Sequence, residues 1–281
     1  MAEDESLTWA HRYLRLGMLG SVLLLGISLV IEIVDDDCLR GSISAYYHSP
    51  VRTVFVGVLL VIGFALVAYQ GRSGLEDLFL NMAGMLAPFV AFVPTTSRGC
   101  GDEDLTAIDS ASMHNNVTAY LLASAVGVAV GLFLVYRESE GPSVLTRAFS
   151  SLVFPWFGNL AVVLVMGGLY LAWYDDFDVH GKSAVVMFLF LFLAVACKVA
   201  ERRRDRDRWF WAYAAVGASM FLGGVVLAFF GGWEYQVFVL EAWEIGLFGT
   251  FWLARTIQNW SGEKPRLDPD DRPVLPAVAP A

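Results

Sequence analysis

Three histidines, one serine and a small set of carboxylates are the residues of this sequence whose types and spacing could do chemistry. His48, His114 and His180 each stand just before, or at the opening of, a long apolar run. Three neutral imidazoles are a recurrent ligand set for a catalytic zinc with one open position, whose bound water is acidified toward a pKa of about 7. Glu32 lies near the end of the first apolar run, and Glu241 and Glu244 enter the last one. Side chains three apart on a helix project from roughly one face, so Glu241 and Glu244 together could bind a cation or share a proton. The stretch DDDCLRGSISAYYHSP, residues 35–50, sets Ser44, Tyr46 and Tyr47 beside His48. Asp109 precedes the run that His114 opens, where it either joins such a site or caps a helix. For the histidines and tyrosines the alternative is a structural one, since aromatic rings and helix caps are ordinary in the headgroup layer.

The elements that must position these groups are set by composition. Apolar residues make up 57% of the 281-residue chain and charged residues 17%, and the mean hydropathy is +0.57. A water-soluble globular domain does not have this balance, so the bilayer is the main solvent. Runs of the roughly 20 residues needed to cross a hydrocarbon core fall at 13–34, 51–70, 77–95, 114–136, 150–174, 183–201, 209–231 and 235–257. No segment shows the strict alternation of a membrane β-strand. The expected fold is an all-α, polytopic transmembrane bundle of about eight spans over residues 1–258. A Pro-rich polar tail at 259–281 is expected to be disordered.

Charge orients the bundle. Fifteen of the nineteen Lys and Arg residues fall on one side of these spans; the other side holds Arg40, Arg52, Arg98 and Lys182. The positive-inside rule then places both termini, and the tail, in the cytoplasm of what reads as a bacterial inner-membrane protein. His48, His114 and His180 come to one outward level, together with Glu32, Glu241 and Glu244. Cys38 and Cys100 both face outward, where a disulfide between them would tie two outer loops together. The sequence has no phosphate-binding loop, dinucleotide fingerprint, nucleophile elbow or nucleic-acid module. The partners it implies are the lipid bilayer and either cations or a lipid-like ligand. GVAVG at 127–131 fits the small-residue pattern of close helix packing.

Two resemblances follow from particular phrases. SISAYYHSPVRTVFVGVLLVIGFALVAYQG, with a final E-x-x-E helix ending FWLARTIQNW, resembles bacterial membrane proteins loosely like the FRAG/DRAM type, which implies a helical membrane protein. Ser44-Ala45-Tyr46-Tyr47-His48 is similar to the Ser-x-x-x-His element of the CREST membrane hydrolases, the superfamily of alkaline ceramidases and adiponectin receptors. That resemblance implies a zinc near Ser44 and His48, with an Asp and a His-x-x-x-His pair. This sequence has no His-x-x-x-His and carries Glu241 and Glu244 on the final helix, so His114 and His180 would have to substitute. Two functions are therefore expected as alternatives. One is a metal-dependent hydrolase of a lipid or amphiphile, with His48, His114 and His180 on zinc and Ser44, Glu241 or Glu244 in support. The other is a cation- or proton-translocating protein, or a ligand-responsive membrane module, that uses Glu32, Glu241 and Glu244.

Overall fold

The computed structural model of the protein describes residues 2–93, 95, 110–138, 160–161, 164–165, 167–168 and 179–260. Among the described residues there are seven α-helices and no strand: α1 (Ala2–Asp36), α2 (Arg52–Ala68), α3 (Gly74–Phe92), α4 (Ser110–Glu138), α5 (Val179–Glu201), α6 (Arg208–Phe230) and α7 (Gln236–Gln258). A short 3-10 turn, Ser44–His48, precedes α2. All but α2 are long and apolar enough to cross a membrane. Five Val and two Phe, with three Leu and one Ile, give α2 only modest helical preference in water. In hydrocarbon every backbone group must be satisfied within the segment, so such a run becomes a helix. Seven of the eight expected spans correspond to these helices; most of the eighth, 150–174, lies outside the described residues, as does the tail from 261 onward.

Contacts run α1 to α2, α2 to α3, α3 to α5, α5 to α6, α6 to α7 and α7 back to α1, closing a ring of six helices with α4 against α3. The helix α3 is buried over most of its length, whereas α1 and α6 turn Leu23, Ile27, Val30, Phe221 and Phe229 outward, as lipid-facing helices do. Its start is fixed by caps: Ser73 Oγ accepts from the Glu76 amide at 3.2 Å, and Asp77 Oδ1 accepts from the Gly71 amide at 3.0 Å. The helices α2 and α3 cross at Gly63 and Gly84, where a Cβ on either would come within 2.8 Å or 2.6 Å of the other's carbonyl oxygen. In GVAVG at 127–131, no described residue lies within 4 Å of a Cβ built at Gly127, while Gly131 is buried. Small residues matter where two backbones meet; a Cβ at Gly167 would lie 3.2 Å from Leu121 of α4.

Candidate functional site

The stretch at 35–50 is a plug. Ser42, Ile43, Ser44, Ala45, Tyr46 and Tyr47 are all buried. The turn bonds to itself through Ala45 N–H to Ser42 Oγ at 3.0 Å and Ser49 N–H to the Tyr46 carbonyl at 3.1 Å. Its free amides at the start need an acceptor, and Glu241 supplies one. Glu241 Oε2 accepts from the Ile43 amide at 2.6 Å and the Ser44 amide at 3.2 Å, while Oε1 accepts from Ser44 Oγ at 2.7 Å. Phe238, three residues earlier on α7, donates its amide to the Gly41 carbonyl at 2.9 Å. One face of α7 therefore holds the whole turn, with a carboxylate at the positive end of a turn of backbone N–H groups.

Tyrosines flank this pair. The Tyr46 hydroxyl accepts from the Arg40 amide at 3.2 Å and donates to the Cys38 carbonyl at 3.4 Å. Burial pushes the Tyr46 phenol above its ordinary pKa, against the pull of the nearby Arg40, and Glu32 and Asp36 add to the rise. The Tyr47 hydroxyl accepts from Arg52 at 2.9 Å, and that guanidinium lies 4.4 Å from the Tyr47 ring centre. Below the turn, a cavity of about 60 Å³ runs between α1, α2, α3, α5 and α7. Val22, Phe55, Val58, Met187 and Phe248 are among its walls; Ser44 and Glu241 are its polar end.

One turn further along α7 is Glu244, 6% exposed, with its Oε1 against α6 where a Cβ at Gly223 would lie 3.1 Å away. No hydrogen bond or ion pair reaches it among the described residues, and its carboxyl oxygens are not among the fully enclosed ones. Phe248, Phe251 and Trp252, all buried, separate Glu244 from the far end of the same helix. At that far end Arg255 forms an ion pair with Glu76 of α3, each only 1% exposed. Lys198 and Arg72 share Glu201 at 2.6 and 3.2 Å, and the Tyr213 hydroxyl bonds Gln258 at 2.5 Å. The Arg255 guanidinium lies over Tyr69, 5.0 Å from its centre, and Tyr69 meets Trp252 edge-on at 4.8 Å.

The three histidines do not form the expected zinc site. His48 Nε2 donates to the Thr95 carbonyl at 3.2 Å and His180 Nδ1 to the Val93 carbonyl at 2.5 Å, so both clamp the segment that leaves α3. His114 is exposed near the start of α4. His48 and His180 meet at the end of α3, but no group of three or more His, Cys, Asp or Glu among the described residues could hold a metal. The physical reason is that two rings are spent on backbone carbonyls left over where α3 ends. Ser44 bonds Glu241 rather than facing a histidine. Glu32 is half-buried near Tyr46. Asp109 and Cys100 lie outside the described residues; Cys38 carries no free thiol, and Cys197 is free.

In the sequence, Arg72, Lys198 and Arg255 count only among the fifteen cations on the more basic side of the spans, and nothing there sets Glu76 apart. The available signal was Arg255 lying inside an apolar phrase, FWLAR, where a charge needs a partner.

Fold and site together define a multi-pass helical membrane protein with ionisable groups inside its helix ring. No family model, curated protein or solved structure matches the chain.

Proposed function

We propose that the protein moves protons or small cations, with Glu244 and Glu241 of α7 as the groups that take them up. The observation that carries this reading is Glu244, a buried carboxyl inside a membrane-spanning helix with no partner among the described residues. Burial leaves two ways to keep such a group: a proton neutralises it, or a cation sits beside it. Either way the position binds a cation. Glu241 lies about 4.5 Å further along the helix axis and opens on the central cavity. That cavity, at about 60 Å³, matches the space of roughly two waters. A lipid or other amphiphile needs several hundred Å³, more than this cavity holds; a second cavity of about 250 Å³ lies between α6 and α7, beside Gly223, Leu240 and Trp243. Phe248, Phe251 and Trp252 close the bundle between Glu244 and Arg255, as expected of an occluded form.

The finer topology belongs to the same proposal: eight spans, both termini in the cytoplasm, an inner-membrane location, and a Cys38–Cys100 disulfide bracing the outer loops. The test is flux into liposomes, read by an internal pH dye and by sodium- and potassium-sensitive dyes. Flux that falls at least tenfold in Glu244→Gln, with a smaller loss in Glu241→Gln, supports the reading. Unaltered flux in both variants removes it.

A further inference from the structure

We infer that the Arg255 end of the bundle binds a phosphate group between α1 and α7. Four buried N–H donors collect there with no acceptor: Arg12 Nε, Arg15 Nε, Trp252 Nε1 and Arg255 Nε. Arg15 is 4% exposed, and its one hydrogen bond is a long one, 3.5 Å, to the Tyr69 hydroxyl. The same Tyr69 ring lies beneath Arg255 at 5.0 Å and against Trp252 at 4.8 Å. Two guanidiniums and an indole thus surround one phenol, and a single carboxylate, Glu76, serves Arg255 alone. Glu201 is already divided between Lys198 and Arg72. No carboxylate among the described residues pairs with Arg15, so this end holds a buried guanidinium without an ion-pair partner there and four N–H donors without an acceptor.

A buried guanidinium without an anion is costly, and an oxyanion that accepts several N–H bonds at once removes both deficits. The depth fits the headgroup layer. Arg12, three residues before Arg15 on α1, lies 4.7 Å from the Trp9 ring and 5.5 Å from the Trp260 ring, and donates to the Trp260 carbonyl at 2.7 Å. Trp9, Tyr13 and Trp260 are exposed, as interface aromatics are. Phosphate is the oxyanion abundant at that depth; it arrives on an anionic lipid or free from solution.

The experiment is native mass spectrometry of the full-length protein released from micelles holding equal phosphatidylglycerol and phosphatidylcholine. In parallel, inorganic phosphate is titrated against tryptophan fluorescence. Retention of phosphatidylglycerol over phosphatidylcholine, lowered roughly tenfold or more in Arg15→Gln and unchanged in Arg40→Gln at the opposite end, supports a lipid phosphate. A saturable fluorescence change with inorganic phosphate, lost in Arg15→Gln, supports a free one. Should Arg15→Gln fail to fold, Arg12→Gln carries the same comparison with a smaller loss. Equal retention of both lipids with no response to phosphate overturns the site and leaves water as the acceptor for those donors.

Discussion

The two ends of α7 handle acidic groups in opposite ways. At one end Glu241 meets no cation; it is held by two backbone amides and a serine hydroxyl, all from one short turn. At the other, Glu76 reaches Arg255 inside a cluster of charges drawn from α2's exit, α3, α5 and α7. Glu244 lies between, with neither arrangement. An ion pair buried this deeply holds its charges fixed, because losing either partner leaves the other stranded. A carboxylate held by neutral donors has no such lock, and a carboxyl with no partner has none at all. The contrast divides the helix into a structural end and an end able to change its protonation or cation load.

The comparison is broken most severely at the structural end. Glu76→Gln should destabilise the protein by roughly 3–5 kcal/mol, read as a lowered thermal midpoint in detergent. The double replacement Glu76→Leu with Arg255→Met should recover much of that loss. Next comes the Glu241 end: Glu241→Ala should cost about 1.5–3 kcal/mol. It should also speed hydrogen exchange across residues 43–48 while leaving the Arg255 end protected. Gly84→Ala sharpens the point that packing between α2 and α3 is independent of both ends, at about 1–3 kcal/mol of overpacking. Gly127→Ala, where nothing approaches, should fall within about 0.5 kcal/mol of wild type. The smallest effect is covalent: alkylation before and after reduction should shift the protein on a gel by the count expected for one opened disulfide. Free labelling at Cys38 without reductant would contradict the pairing proposed for the outer loops.

Much of this fold is legible in the sequence, because hydrocarbon imposes one rule: long apolar runs become helices. The described helices fall on seven of the eight runs. The level shared by His48 and His180 is legible too, since alternating spans bring every second connection to the same end of the bundle. What the rings do there is not: Pro94 marks the end of α3, but nothing in the sequence says that His180 and His48 supply the donors for the Val93 and Thr95 carbonyls on either side of it. The Ser44–Glu241 pair spans 197 residues and depends on which helices are neighbours, which hydropathy does not encode. Arg255 is hidden differently: positive charges near the ends of spans have a general explanation, and that explanation conceals the one that is buried. Of the five-residue Ser-x-x-x-His match, Ser44 bonds the Glu241 carboxylate while His48 bonds the Thr95 carbonyl, and the described residues hold no histidine cluster of the kind zinc needs.

The measurement closest to the central claim is infrared difference spectroscopy of the reconstituted protein during a jump in pH or cation concentration. A carboxyl band that changes in the wild type, is absent from Glu244→Gln and persists in Glu32→Gln is the predicted result. Identical difference spectra for wild type and Glu244→Gln would contradict the assignment of Glu244 as the group that loads and unloads.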